Sequence, residues 1–345
     1  MSTGDGRDDL HDIRDRIGAR VVGRERELTL VLAAVAAGRD ILLEGPPGTS
    51  KSTILRAITE EWGIPLVFVE GNADLTPAKL VGHHNPARVL KEDYSADNFV
   101  DGPLLEAMRE GGFLYIEEFN RAPEDTLNTL LTAMAERRIA VPRAGSVAAK
   151  PTFRVIASMN PYDNIGTTRL STSVHDRLNR LAITYQDEQA ERDIVALRAP
   201  LPGLDADTHA RIVADAVAVT RATRAHEDVR QGSSVRGAID MTAIAGELFR
   251  LRAAGKVASR PAAQPGGSGG SSPRASTATE RIMPTEAGSG YRDLMYDAMV
   301  VALSGRIHLD ETVEATPEQV LREIWENHFV LGEHSVLGPA AAAPG

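Results

Sequence analysis

The sequence contains no cysteine, which excludes thiol catalysis, disulfide bonds and cysteine-ligated zinc. It also lacks any apolar run of about 18 residues, the minimum for a membrane-spanning helix, and its acidic N-terminal segment does not resemble a signal peptide. Basic residues are outnumbered, 38 against 48 acidic ones, and the net charge of −10 argues against a protein that mainly binds nucleic acid phosphates. These absences predict a cytoplasmic protein without a membrane span and without nucleic acid as its partner.

What the sequence does contain is an alternation of short apolar runs and amphipathic stretches, followed by a region with helical spacing only. Such an alternation predicts an α/β fold with a largely parallel sheet. Apolar residues at four-residue spacing after the first strand predict a helix there. The strands are predicted at Asp40–Leu43, Leu66–Glu70, Gly112–Ile116, Phe153–Ser158 and Leu181–Thr184.

The same patterns predict the domain organisation. A flexible N-terminus and lead-in helix occupy residues 1–20, an α/β core residues 21–190, a helical domain residues 191–337 and a disordered tail residues 338–345. Within the helical domain, residues 261–290 are rich in Gly, Pro, Ser, Thr and Ala, which predicts a disordered insertion that begins near residue 255. After it, the order Thr-Pro-Glu-Gln predicts a capping box that starts a helix.

The strongest chemical motif lies between the first strand and the following helix. Small residues allow successive N–H groups to turn towards phosphates, and a helix N-terminus favours anions. Lys51 follows these small residues and can bind the β- and γ-phosphates, and the Ser52 hydroxyl can bind Mg²⁺. Ser50 replaces the glycine of the strict pattern, and a positive φ at a serine costs about 1 kcal/mol. The predicted phosphate loop comprises Gly45, Pro46, Pro47, Gly48, Thr49, Ser50, Lys51, Ser52 and Thr53.

A second motif is the apolar strand that ends in the paired carboxylates Glu117 and Glu118. A nucleotide hydrolase needs one carboxylate near the Mg²⁺ and another that orients or deprotonates the attacking water. Acidic pairs at strand ends are often only solvated, but this pair follows a phosphate loop. The two motifs together predict a nucleotide hydrolase.

Three segments together resemble the MoxR family of AAA+ ATPases: the Gly45–Thr53 loop, the Ile116–Pro123 run and Ser158–Pro161. The resemblance covers most of the chain, about residues 21–250. It implies a P-loop NTPase core with a five-stranded parallel sheet followed by a helical lid, with ATP and Mg²⁺ as cofactors. It also implies that copies of the chain assemble into a hexameric ring.

The resemblance assigns roles to residues at the carboxyl ends of two strands. Glu117 takes the metal-associated position, where the family usually has aspartate, and this departure raises the question of whether the longer side chain impairs turnover. Glu118 takes the position of the catalytic carboxylate. Asn160 takes the position of the sensor that orients the attacking water.

Four further positions match the family pattern outside those strand ends. Val22 and Gly23 would lie near the adenine, and Arg236 matches the lid arginine that contacts the nucleotide of its own chain. Arg177 matches the arginine finger, which reaches the γ-phosphate held by a neighbouring subunit, although Leu178 replaces the aromatic residue of the family. Taken alone, Arg177 or Arg236 would be interpreted as a surface charge.

Residues 80–101 occupy the position of a hairpin that this clade inserts into its second helix. His83 and His84 lie there, but adjacent side chains in a strand point to opposite faces, and no third metal ligand with suitable spacing is evident. The segment is therefore predicted to be a loop or hairpin that moves with the nucleotide state.

The sequence leaves several functions open. The MoxR resemblance implies a chaperone-like ATPase that matures a client protein complex or inserts a metal cofactor, with a von Willebrand A-domain partner. The segments Glu118–Arg121 and Glu136–Pro142 also resemble the gas-vesicle protein GvpN, which implies an organelle assembly factor. A nucleotide switch with slow hydrolysis is a third possibility, and a DNA-remodelling ATPase, disfavoured by the charge, is a fourth.

Overall fold

The computed structural model describes residues 6–18, 20–92, 96–141, 143, 145–161, 170–258 and 289–331. The predicted tail lies outside these residues, as does the predicted insertion apart from its ends at residues 255–258 and 289–290. The chain divides into two compact units, Met1–Gln186 and Asp187–Gly345. The sequence places this boundary at residue 190, four residues later.

The first unit alternates strands and helices. Its described strands are β1 Ile41–Glu44, β2 Leu66–Glu70, β3 Gly82–His84, β4 Phe99–Asp101, β5 Phe113–Glu117, β6 Arg138–Val141, β7 Gly145–Ala148, β8 Arg154–Met159 and β9 Asn179–Ala182. Its described helices are α1 Gly6–Gly18, α2 Glu25–Ala36, α3 Lys51–Trp62, α4 Pro77–Val81, α5 Pro86–Glu92, α6 Pro103–Glu110, α7 Glu124–Glu136 and α8 Thr172–Arg177.

One parallel sheet organises this unit, in the order β2-β5-β8-β1-β9. The central strands β5, β8 and β1 are buried along most of their length, as expected for strands that helices cover on both faces. Apolar residues of α1, α2 and α3 pack on one face, and those of α4, α6 and α7 pack on the other. The predicted five-stranded α/β core is therefore confirmed, with four strands within one residue of their predicted bounds.

The fifth strand is an exception, because the prediction of Leu181–Thr184 is wrong by two residues. The strand begins at Asn179, whose N–H and Nδ2 both donate to the Asp40 carbonyl at 3.0 Å. As the edge strand, β9 pairs only with β1 and exposes Asn179 and Arg180. Hydrogen bonds to β1 determine where this strand begins. Its first two residues are polar, so a search for apolar runs does not detect them.

The segment predicted to be a loop or hairpin that moves with the nucleotide state contains two paired strands, and its motion stays a prediction. Strands β3 and β4 pair antiparallel, with Gly82 opposite Asp101 and His84 opposite Phe99. The His84 ring packs edge-on against the Phe99 ring, with centroids 5.1 Å apart. A further antiparallel pair, β6 with β7, follows α7.

The second unit is mainly helical. Its described elements are α9 Glu188–Arg198, α10 Ala206–Ala225, β10 Val229–Gln231, α11 Val235–Ala258, α12 Ser289–Leu303, β11 His308–Leu309 and α13 Pro317–Trp325. The predicted capping box is present at α13, where Thr316 and Gln319 exchange side-chain-to-backbone hydrogen bonds. The short β10–β11 ribbon was not predicted, because two or three residues a strand show no alternation. Across the described ranges, no helix is both long and apolar enough to cross a membrane.

Candidate nucleotide-binding site

The phosphate loop connects the carboxyl end of β1 to the N-terminus of α3. Gly45 lies so close to the neighbouring chain that a Cβ there would approach the Ile183 carbonyl oxygen to 2.0 Å, so only glycine fits. Gly48 and Ser50 both have positive φ, 74° and 65°. Ser50 therefore adopts the left-handed conformation in which glycine would be unstrained. This geometry turns the loop onto the first turn of α3, as the sequence motif predicts.

Ser50 is held by a buried polar network that the sequence does not reveal. The Gln186 side chain is 5% exposed, and its Nε2 donates to Ser50 Oγ at 3.3 Å and to the Val22 carbonyl at 3.4 Å. Arg24 in turn donates from NH2 to Gln186 Oε1 at 3.0 Å and to the Thr184 carbonyl at 2.6 Å. The network joins the phosphate loop to the segment predicted to contact adenine, in which Gly23 has a φ of 66°.

We expect the Ser50 hydroxyl to offset part of the strain at this position. Ser50→Ala keeps the strain and loses the hydrogen bond, so its melting temperature should fall by about 2–4 °C, the shift produced by ~1 kcal/mol in a unit of this size. Ser50→Gly loses the same bond but relieves the strain, so it should melt close to the wild type. Thermal unfolding checks both variants. A Ser50→Gly protein that melts as low as Ser50→Ala would contradict this account.

Lys51 begins α3 and is buried, at 8% exposure. Its Nζ donates to the Gly45 and Pro46 carbonyls, each at 2.8 Å. These acceptors are neutral, and a hydrogen bond from the ammonium group to an anionic phosphate is stronger than one to a neutral carbonyl. An anionic phosphate in the loop can therefore compete for the ammonium group.

Ser52 lies one residue further along α3, and its side chain faces the end of β5. Its Oγ donates to Glu117 Oε1 at 3.2 Å. Two neighbouring oxygen ligands of an octahedral Mg²⁺ lie about 3 Å apart when each bond is ~2.1 Å. The hydroxyl and the carboxylate are thus the hard oxygen donors that Mg²⁺ prefers, at a suitable separation, and Glu117 reaches the predicted position in spite of its extra methylene group.

Glu118 follows the strand in a strained conformation, with a φ of 53°. Its carboxylate is paired with Arg121, whose NH1 lies 3.0 Å from Oε2. Gly71 makes room for this turn, because a Cβ there would approach the Glu118 carbonyl to 2.4 Å. A strained residue of this kind is typical of functional sites. The Glu118 carboxylate thus lies beside Arg121, whereas the Glu117 carboxylate lies beside Ser52 and Tyr115.

Asn160 directly follows β8, the strand between β5 and β1. The phosphate loop, Glu117 with Glu118, and Asn160 therefore lie at the carboxyl ends of three adjacent parallel strands. Ligands of open α/β sheets bind at this edge. The structure thus brings together the predicted phosphate, metal, catalytic and sensor residues.

Arg177 is not part of this cluster. Arg177 ends α8 just before the amino end of β9, is exposed, and donates from NH1 to the Ser173 carbonyl at 3.1 Å. Asn179, two residues later, pairs with Ile41 at the start of β1, whereas the phosphate loop follows the end of β1. Arg236 belongs to the second unit, where it is exposed in the first turn of α11. Its assignment as a nucleotide contact stays a prediction.

Sequence reasoning missed Tyr115. Its hydroxyl lies 3.2 Å from Ser52 Oγ, 3.4 Å from Glu117 Oε1 and 3.0 Å from Ser158 Oγ. Burial raises the pKa of the phenol, so it stays protonated at neutral pH. One signal was available: Tyr115 lies two residues before Glu117, so both side chains project from the same face of β5.

Residues 40–178 match the family model of the AAA domain, dynein-related subfamily. This stretch of the first unit is therefore similar to a domain of the AAA class, as the resemblance implies. The predicted resemblance to GvpN-type ATPases is confirmed as well.

Three curated relatives show where the similarity extends. The gas vesicle ATPase GvpN of Haloferax mediterranei is 30% identical over 192 residues, which cover 51% of this chain and 55% of the relative. GvpN of Ancylobacter aquaticus is 28% identical over 251 residues, which cover 67% of this chain and 68% of the relative. An uncharacterized protein of Staphylococcus aureus is 32% identical over 167 residues, which cover 48% of this chain and 63% of the relative. The chain thus spans just over half to about two thirds of the length of these relatives.

Proposed function

We propose that the chain hydrolyses ATP in an oligomeric ring and uses the energy to remodel or mature a protein complex in the cytoplasm. The supporting observation is the cluster at the carboxyl ends of β1, β5 and β8, where Ser52 Oγ and Glu117 Oε1 lie 3.2 Å apart beside the phosphate loop. The client is a protein complex, and the predicted partner has a von Willebrand A domain, as the MoxR resemblance implies.

In this proposal each residue of the cluster has one task. The loop N–H groups and Lys51 bind the phosphates, and Ser52 with Glu117 holds Mg²⁺. Bound Mg²⁺ would neutralise negative charge that develops on the phosphate oxygens. Glu118 accepts a proton from the attacking water, and Asn160 orients that water. Arg177 stabilises charge in the site of a neighbouring copy.

Assembly of gas vesicles is a second candidate function. It is favoured by two relatives, both gas vesicle ATPases, of which the longer match covers 67% of this chain. Expression of the chain in Ancylobacter aquaticus lacking its own GvpN would test this function. Restored gas vesicles, counted by electron microscopy, would support it if a Lys51→Ala version fails. If neither version restores them, the first candidate is favoured, and purification should then recover a von Willebrand A-domain protein.

ATP binding itself is tested by Lys51→Ala. The variant loses the buried ammonium group at the loop, so we expect ATP affinity to fall about 10–100-fold, the loss that follows removal of one or more charged hydrogen bonds. Isothermal titration with a non-hydrolysable ATP analogue measures it. Lys79→Ala is the matched control, because Lys79 is exposed on α4 of the same unit. Equal affinity in wild type and Lys51→Ala would show that the loop is not the nucleotide site.

Steady-state turnover separates the ATPase from a nucleotide switch. Wild-type protein at ring-forming concentrations should turn over ATP continuously and require Mg²⁺. Tight binding of ATP without turnover under those conditions would favour the switch instead.

A further inference from the structure

The Tyr115 hydroxyl lies at the centre of a cluster of polar side chains. The proposed metal binding gives roles to Ser52 and Glu117 but none to Tyr115. Its three neighbours are Ser52, Glu117 and Ser158, at 3.2, 3.4 and 3.0 Å. Tyr115 and Ser158 are each 1% exposed, so bulk solvent does not reach these hydroxyls. A buried phenol needs a hydrogen-bond partner, but one would suffice, and this one lies between two candidate metal ligands.

Proton counting shows what the phenol can do there. In the structure as described, Ser52 Oγ directs its single proton to Glu117 or to Tyr115. A hydroxyl that binds Mg²⁺ through an oxygen lone pair must direct that proton away from the metal. The carboxylate can accept a hydrogen bond at Oε1 from either hydroxyl. The Ser52 proton can therefore be directed to the Tyr115 oxygen, while the Tyr115 proton goes to Ser158 or to the carboxylate.

The position of Glu117 gives a second reason to assign a role in metal binding to Tyr115. Tyr115 and Glu117 project from the same face of β5, and the longer glutamate side chain has one more rotatable bond than aspartate to restrain. The phenol contacts Oε1, the same oxygen that Ser52 contacts. The hydroxyl therefore restrains the carboxylate oxygen that faces α3.

We propose that Tyr115 is a positioning residue that accepts the Ser52 hydroxyl proton and restrains Glu117, so that these two side chains bind Mg²⁺ in one arrangement. This inference rests on the proposed function. It assigns to Tyr115 no contact with nucleotide and no proton transfer in the reaction.

Tyr115→Phe removes the hydroxyl and keeps the ring in the core. Mg²⁺ affinity is measured by titrating Mg²⁺ into protein that holds a fluorescent ATP analogue, with Mn²⁺ binding followed by electron paramagnetic resonance as the second measurement. We expect both metals to bind about tenfold more weakly, the effect of losing one hydrogen bond to a charged group. Analogue affinity in EDTA should be unchanged, because the Tyr115 hydroxyl bonds the metal-associated Ser52 and Glu117 and also Ser158, and it does not bond Lys51.

Two control variants separate positioning from general loss of a buried hydroxyl. Tyr291→Phe removes another half-buried phenol hydroxyl, which bonds Asp215 Oδ2 at 2.6 Å in the second unit, and should leave metal affinity unchanged. In a Glu117→Asp background the shorter carboxylate is further from the phenol. Tyr115→Phe should therefore reduce Mg²⁺ affinity by a smaller factor in that background than in the wild type. An equal loss of Mg²⁺ affinity in both backgrounds would contradict the proposal that Tyr115 restrains Glu117.

The outcomes also distinguish this inference from the proposed function. Wild-type protein that binds neither analogue nor metal would count against the proposed function itself. Wild-type protein that binds both, with Tyr115→Phe binding Mg²⁺ and Mn²⁺ equally well, would overturn the role of Tyr115 alone. Tyr115→Phe that also loses analogue affinity in EDTA would show damage to the loop, and would overturn the positioning role as well.

Discussion

Glu118→Gln should bind ATP as the wild type does and hydrolyse it about 10²–10⁴-fold more slowly, the usual contribution of a general base. The substitution keeps the size of the side chain and removes the proton acceptor. Glutamine also keeps an acceptor oxygen for Arg121, whose NH1 now lies 3.0 Å from the carboxylate. We therefore expect the strained turn at φ 53° to persist in the variant. Single-turnover hydrolysis and titration with ATP measure the two effects separately.

The matched control for this prediction is Glu110→Gln. Glu110 is exposed at the end of α6, which precedes the amino end of β5, so it lies at the opposite edge of the sheet from the phosphate loop. This control should hydrolyse ATP at the wild-type rate. Hydrolysis by Glu118→Gln at the wild-type rate would transfer the role of base to another residue, and Glu117 would be the first to test.

The carboxyl-end cluster could be predicted because its elements are local in sequence. A loop of small residues followed by Lys51 and Ser52 is recognisable wherever it lies between a strand and a helix. Glu117 and Glu118 come at the end of an otherwise apolar strand. In a parallel sheet the carboxyl ends of all strands lie at one edge, so the edge at which these carboxylates lie could be predicted. Asn160 follows from the same rule applied to β8.

The network around Ser50 could not be predicted from such patterns. Arg24, Ser50 and Gln186 are distant in sequence, and none belongs to a periodic pattern that marks it as buried. Their contacts depend on how β9 returns the chain towards the phosphate loop. The left-handed conformation of Ser50 could be anticipated from the missing glycine, but the side chain that stabilises it could not.

In the proposed ring, Arg177 would act on the site of a second copy of the chain, and the topology of one copy is consistent with this role. Arg177 precedes the amino end of β9, and the phosphate loop follows the carboxyl end of β1, which pairs with β9 in parallel. The four residues of β1 separate these edges by about 13 Å at ~3.3 Å a residue. Arg177 is exposed and donates to its own helix. It is thus available to a neighbouring subunit.

Arg177→Ala should therefore bind ATP nearly normally and hydrolyse it at least ~10³-fold more slowly, the effect of arginine fingers in other nucleotide hydrolases. Turnover per chain of the wild type should rise with protein concentration as subunits associate. Arg56→Ala is the matched control, because Arg56 is exposed in the middle of α3 in the same unit. Its turnover should equal that of the wild type.

A mixture of Arg177→Ala with Glu118→Gln gives the sharpest test of this trans arrangement. Each variant alone lacks one component in every site. In a mixed ring, some sites combine an intact Glu118 from one chain with an intact Arg177 from the next, so turnover should exceed that of either variant alone. Size-exclusion chromatography must show that the variants form joint oligomers. If the variants form joint oligomers but turnover is not recovered, Arg177 does not act in trans. If the wild type stays monomeric and its turnover per chain does not change with protein concentration, the ring is refuted.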